Sequence, residues 1–236
     1  MTAAAAAGHP LDNPFWSSLA TLHRGIALGE GGVLRYPADV APFLGVADAG
    51  VDVADALPSL VPEGDTAMLL GVAPETVPAG WRLQPLEELA QMQCTTVLPV
   101  PDGPEIVPLG GAQRGDVLEL TALVYPHYFR PRTVELGRYF GMYVSDRSGR
   151  PRLAALIGER LGAPGFREMS AICTHPDFVA RGYARRLTAM LGNDTLARGE
   201  LPFLHVSQAN ARAIALYERL GYRLRRTIPF WSLRRA

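Results

Sequence analysis

The chain has 236 residues, 48% apolar and 19% charged, with 23 basic residues balancing 23 acidic ones; this is the composition of a soluble globular protein of one large or two small domains, and no apolar run reaches membrane-spanning length. All the basic residues are arginine, which excludes mechanisms built on a lysine Schiff base or a P-loop lysine. Cys94 and Cys173 cannot make a disulfide framework, and the five histidines show no ligand spacing with them, so neither a structural disulfide nor a metal is expected.

The zero net charge hides a division. Residues 1–103 hold 3 Arg against 12 acids, whereas residues 104–236 hold 20 Arg against 11. Such halves attract each other, within the chain or across a homodimer, and the basic half also suits an anionic ligand. Nucleic acid is not expected, because helix-turn-helix and zinc-finger signatures are missing and no aromatics interleave the arginines.

Along the chain, the alanine tract Ala3–Ala7 lacks a basic flank and breaks at Gly8-His9-Pro10; it reads as a disordered start without a signal peptide, and a cytoplasmic location is expected. A helix is predicted over Phe15 to Leu28, a hairpin turn at Gly29 to Gly32, strands at Gly32 to Pro37 and Ala67 to Val72, and a helix over Leu86 to Cys94. The stretch "PVPDGPEIVP" from Pro99 to Pro108 has four prolines and can continue neither a helix nor a central strand, so it reads as a linker with a boundary near residue 103.

After the linker, Gly111 to Val124 reads as a helix. Arg138 to Val144, Arg152 to Arg160 and Phe166 to Thr174 read as an antiparallel meander. "THPDFVARGYARRLTAML" then leads into a helix from about Arg181 to Ala197, with Tyr183, Leu187, Met190 and Leu191 on one face. "LPFLHVS" is a short buried strand. Asn210 caps a helix whose stripe holds Ile214 and Tyr217 and which stops at Gly221. "YRLRRTIPFWSLRR" closes the chain as a long strand or hairpin. The entrance to the Arg181 helix is the sharpest feature, since backbone N–H groups bare of side chains at a helix N-terminus form a site for phosphate.

The order of these elements, with "AICTHPDFVARGYARRL" and "NARAIALYERLGY", resembles the GNAT superfamily of acetyl-CoA-dependent N-acetyltransferases over Glu105 to Ala236. The resemblance implies an α/β (α+β) fold: a mixed, mostly antiparallel twisted sheet flanked by helices. The N-terminal half, residues 1–103, then either roofs the acceptor groove or is a degenerate α/β copy of the same fold. In that family a Q/R-x-x-G-x-G/A loop holds the coenzyme A pyrophosphate. Gly182 and Ala184 match it, and Val179 stands where the family has Gln or Arg. The resemblance thus assigns acetyl-CoA to Ala180, Arg181, Gly182, Tyr183, Ala184 and Arg185, with the pyrophosphate on the amides of Arg181 to Ala184; Arg181, Arg185 and Arg186 would add charge-assisted contacts to that anion. Ile172, Cys173 and Thr174 border the pantetheine arm, and Asn210 contacts it while also serving as N-cap.

The implied chemistry is direct attack of an amine on the acetyl thioester, needing an oxyanion donor and a proton for the departing thiolate. Tyr217 falls where the family places its general acid. There are two alternative base candidates: Glu168, on the strand before the loop, and His205, in the next strand, whose imidazole suits proton transfer near neutral pH. Cys173 is read as a small buried hydrophobe. A coenzyme-binding module without catalysis, or an acyltransferase with another donor, fits the same coenzyme contacts. The acceptor groove is expected from "YPHYFRPRTVELG" and "IPFWSLRR".

Overall fold

The computed structural model describes residues 8–124, 128–146 and 148–236; the alanine tract and part of the expected acceptor loop, Tyr125 to His127, lie outside the described residues. Pro14 opens α1 (Pro14–Ala20), a position where its missing N–H costs nothing. The helix ends well before Leu28 because His23 is drawn inward, its Nδ1 against Ser18 and Tyr36 and its Nε2 against the Leu136 carbonyl. The Gly29–Gly32 turn forms as expected, with Leu28 and Arg35 exchanging backbone hydrogen bonds across it. Next come β1 (Val33–Arg35), β2 (Leu44–Val46), the short α2 (Leu57–Leu60), β3 (Thr66–Leu70) and β4 (Trp81–Pro85).

The segment expected as a helix over Leu86 to Cys94 is instead a strand, β5 (Leu89–Gln93). Its Leu, Ala, Met and Gln suit a helix in isolation. Tertiary context overrides that propensity, because β5 lies between two other strands with Ala90, Gln91 and Met92 buried; a run of this length is ambiguous by periodicity alone. The Pro-rich linker carries only β6 (Val107–Pro108) and is strapped along a helix: Asn193 exchanges two 2.7 Å hydrogen bonds with the Leu98 backbone, and Arg186 donates to the carbonyls of Pro101 and Pro104.

Beyond it, α3 (Arg114–Val124) precedes the expected antiparallel meander of β7 (Tyr139–Ser145), β8 (Pro151–Ala163) and β9 (Phe166–Thr174). Helix α4 (Tyr183–Ala197) then carries the chain to β10 (Leu201–Ser207), which runs parallel to β9. Helix α5 (Ala211–Arg219) leads to β11 (Arg223–Ile228) and β12 (Phe230–Arg235). These last two are neither one strand nor a hairpin. Pro229 separates them, and they join different sheets.

Seven strands form the main sheet in the order β11-β5-β10-β9-β8-β7-β6, β12 sits between β3 and β4, and β1 pairs with β2. The boundary near residue 103 is therefore crossed twice: β5 enters the main sheet from the N-terminal half, and β12 leaves the C-terminal half to complete the smaller sheet. The charge division is crossed as well. Asp12 meets Arg225 and Arg226 at 2.7 and 2.8 Å, and Asp39 meets Arg132 at 3.2 Å. On one side of the main sheet Leu187 and Leu191 of α4 pack with Met142, Ile157, Met169 and Tyr222, each large side chain contributing roughly 1.5–3 kcal/mol by leaving water. Among the described residues no helix is long and apolar enough to cross a membrane.

The approach of α1 to β2 depends on Gly45. A methyl group there would lie 2.5 Å from the Trp16 nitrogen and 2.6 Å from its Cα, and backbone cannot swing aside as a side chain can. Gly45→Ala is expected to destabilise the fold by about 1–3 kcal/mol, read as a lower midpoint in urea unfolding with an unchanged slope; an unchanged midpoint would show that this contact carries no packing constraint.

Candidate functional site

Strands β9 and β10 pair only from Phe166↔Leu201 to Glu168↔Phe203. Beyond Glu168 they part. Just past that point β9 bulges: its register on β8 jumps from Ser170↔Gly158 to Cys173↔Leu156, so Ala171 and Ile172 both stand opposite Ile157. Ala171 has φ of 51°, a left-handed conformation that costs an L-residue on the order of 1 kcal/mol and persists only where the surroundings impose it. A bulge also takes one residue out of the ladder and re-aims its neighbours.

The parting strands open a cavity of about 580 Å³. One wall is local in sequence: residues 169–173 of β9, 204–207 of β10, Asn210, and Ala213 and Tyr217 of α5. The far wall is not, being one hydrophobic cluster of Phe15, Phe43, Leu70 and Leu86 of the N-terminal half with Tyr128 and Phe230 of the C-terminal half. Tyr217 is buried, its ring 6.0 Å from that of Tyr222. Asn210 caps α5, its Oδ1 accepting from the Ala213 N–H at 3.0 Å. Cys173 lies in the core between β9 and α3, and burial pushes its thiol up to about 12; it is a protonated small hydrophobe, as the sequence suggested.

Glu168 and His205 meet, although not as an exposed base. The Glu168 carboxylate is fully buried. It accepts two hydrogen bonds from the Arg160 guanidinium at 2.8 and 2.9 Å, one from the Leu161 N–H at 3.2 Å, and one from His205 Nδ1 at 2.7 Å. Burial alone would raise its pKa; the Arg160 charge and the hydrogen bonds from Arg160 and His205 outweigh that and hold it at about 2. Gln91 fixes the imidazole from the other side. Its Oε1 accepts from Arg225 at 2.8 Å, so its Nε2 must be the group that donates to the Leu11 carbonyl at 2.8 Å and to His205 Nε2 at 2.9 Å. His205 Nε2 therefore accepts, and the ring proton sits on Nδ1 facing Glu168. The His205 side chain is 2% exposed.

The glycine loop stands beyond the cavity, at the end of β9. Residues 179–182 are exposed. Ala180 and Gly182 have φ of 63° and 79°, and α4 starts at Tyr183 without a side chain capping its amides. A Cβ at Gly182 would meet nothing within 4 Å. The N-terminus of α4 thus has no side-chain cap and open space at Gly182, which suits a phosphate. Arg181 lies over the Phe178 ring at 5.3 Å and Arg185 is exposed, while the Tyr183 side chain packs into the core, leaving only its amide for a ligand. Arg186, expected to add charge to the same anion, is instead engaged by the linker, its guanidinium donating to the carbonyls of Pro101 and Pro104. Thr174 is half-buried between loop and cavity.

Ile172, Cys173, His205, Asn210 and Tyr217 thus surround one cavity, with Glu168 behind its wall and the residues from Ala180 to Arg185 beyond its end. Tyr128 and Phe230 line the cavity from the two segments expected to build the acceptor groove, whereas sequence reasoning missed Arg160, Gln91 and the far-wall residues of the N-terminal half. Only Arg160 carried a local signal, eight residues before Glu168 across the β8–β9 turn.

Glu168 ties stability to acid. With a folded pKa of about 2 against an ordinary 4.5, its contribution is complete above pH 4.5 and is lost as pH falls from there toward 2. Unfolding free energy measured by denaturant at successive pH values should decline across that window. Glu168→Gln should flatten this segment and cost about 3–5 kcal/mol at pH 7, because it strands the Arg160 charge; a variant as stable as the parent would refute the buried pair.

The FR47-like protein family matches residues 146–231. No curated protein matches significantly. Among solved structures, a GNAT-family acetyltransferase structure from Novosphingobium aromaticivorans is 34% identical, covers 97% of this chain and 99% of its own, and superposes with a TM-score of 0.83. A GCN5-related N-acetyltransferase from Kribbella flavida shares the fold at 18% identity over 92% and 93% of the two chains, with a TM-score of 0.59. One from Sphaerobacter thermophilus does so at 15% identity over 88% and 78%, with a TM-score of 0.51. Full-length coverage at that first level of identity, on the fold described above, means that this chain belongs to the GNAT family.

Proposed function

We propose that the chain is an N-acetyltransferase that moves the acetyl group of acetyl-CoA to an amine by direct attack in a ternary complex. The observation that carries this reading is the cavity between β9 and β10, whose one wall brings the strained bulge at Ala171 together with Tyr217.

Acetyl-CoA supplies the acyl thioester. Its pyrophosphate is assigned to the amides of Arg181 to Ala184, where the uncapped turn and the open space at Gly182 favour an anion. Ile172 to Thr174 and Asn210 border its arm. The Ile172 N–H, at the bulge, is our choice for the donor to the oxygen on which charge develops. The Tyr217 hydroxyl gives its proton to the departing sulfur. Glu168 and His205 act as positioning residues in this scheme, because both imidazole nitrogens are engaged and the carboxylate is ion-paired. A coenzyme-binding module that does not turn over is separated from this reading by the assays below.

Gly182→Val should weaken acetyl-CoA binding at least tenfold in calorimetry, since the β-branched side chain enters the ligand's space and resists φ of 79°. Unchanged affinity in the folded variant would remove the pyrophosphate assignment.

Tyr217→Phe keeps the ring and deletes the proton donor. Turnover should fall by roughly a hundredfold or more while acetyl-CoA affinity holds; wild-type turnover would sink the acid role and leave Tyr217 a packing residue.

A further inference from the structure

The acetyl group and the coenzyme arm account for only one wall of the cavity. The volume of about 580 Å³ is that of a small-molecule site, and the far wall formed by Phe15, Phe43, Leu70 and Phe230 is apolar. Besides the engaged His205, the charged side chains lining the cavity among the described residues are Arg160 and Glu87. Arg160 is matched by Glu168 and lies 5.0 Å over the Phe43 ring, so that pair adds no net charge. Glu87 is different. It is exposed at the mouth, held in place by the Ser207 hydroxyl at 2.7 Å on Oε2 and the Ala209 N–H at 2.9 Å on Oε1. A carboxylate has about four acceptor positions, so these two hydrogen bonds leave room for a cation.

Resting on the proposed acetyl transfer, we infer that the acceptor is a primary amine carried on an aryl or branched alkyl group. Its apolar body packs against Phe43, Leu70 and Phe230, and Glu87 draws in its ammonium. A longer acyl chain could fill the same apolar space, but it would give Glu87 no partner, whereas the amine satisfies both features. A free amino acid would bring a carboxylate to a wall whose single guanidinium is already paired. A polyamine would push a second ammonium into apolar surroundings that penalise it. The balance of the step is simple. The ammonium gives its proton to Glu87 or to water at the mouth; the freed nitrogen lone pair forms the C–N bond, the C–S bond breaks, and the sulfur takes the Tyr217 proton.

The test uses the full chain with acetyl-CoA and three amines in a coenzyme-release assay: 2-phenylethylamine, spermidine and phenylalanine. Calorimetry of each amine, of the neutral mimic 2-phenylethanol and of acetyl-CoA alone accompanies it. The aryl amine should exceed both others at least tenfold in kcat/KM. Glu87→Gln should weaken binding of 2-phenylethylamine at least tenfold and leave 2-phenylethanol unchanged. Spermidine or phenylalanine as the best acceptor would overturn the inference, as would failure of 2-phenylethylamine to bind or better use of hexanoyl-CoA than acetyl-CoA. Equal loss of amine and alcohol in Glu87→Gln would reduce Glu87 to a structural latch. If acetyl-CoA alone does not bind, the transferase reading falls, while the amine titrations still decide whether the cavity takes an aryl amine at Glu87.

Discussion

The buried Glu168 carboxylate is the constraint on which the rest of this structure turns. It sits at the last paired position of β9 on β10 and holds three strands at once, through Arg160 and the Leu161 N–H on β8 and through His205 on β10. An isolated carboxylate at this depth would cost several kcal/mol. Four hydrogen bonds and one opposite charge offset that cost, but only in one geometry. The sheet is thereby pinned shut at Glu168 and free to open immediately after it, which is where the cavity begins.

The network does not stop at His205. It continues through Gln91 on β5 to Arg225 on β11 and on to Asp12 before α1. Each polar group along this line has a partner, and a fully satisfied buried chain of this sort fixes register as well as stability. Slipping β5 by one residue would turn Gln91 to the opposite face and leave His205 Nε2 and the Arg225 guanidinium without it. The polar line and the placement of a strand from the N-terminal half inside the main sheet are in this sense one feature.

This explains what the sequence revealed and what it withheld. The glycine loop, the Asn210 cap and the β7–β9 meander were legible because their causes lie within a few residues: positive φ at Gly182, a side chain accepting from the third amide on, and apolar runs bounded by the turns at Ser148-Gly149 and Pro164-Gly165. Strand β5 was not legible. Its helix-like spacing is real, and only the two neighbours it acquires from more than a hundred residues away make it a strand. Glu168 and His205 were found as titratable residues near the loop, but their roles depend on Arg160 and Gln91, and nothing local shows that His205 already has both nitrogens occupied. The same holds for the break at Pro229, where the proline could be read but its consequence, entry into a second sheet, could not.

The two walls of the cavity consequently have different origins. The wall assigned to the coenzyme is a single run from Met169 to Tyr217, whose geometry follows from one bulge, one crossover helix and one capped helix. The facing wall exists only because β12 crosses over to β3 and β4 while β5 crosses back, bringing Phe15, Phe43, Leu70 and Phe230 together. Of these four side chains, Phe43 also touches the polar network, because the Arg160 guanidinium that pairs with Glu168 lies 5.0 Å over its ring, so the two walls are coupled at that point. Removing the N-terminal half altogether reaches further. It would strip β5 from between β10 and β11, leave β10 as an open edge, and break the polar line at Gln91. The acidic half is thus part of the sheet that makes the site, and the opposed charges of the two halves meet at Asp12 with Arg225, where the line reaches the surface.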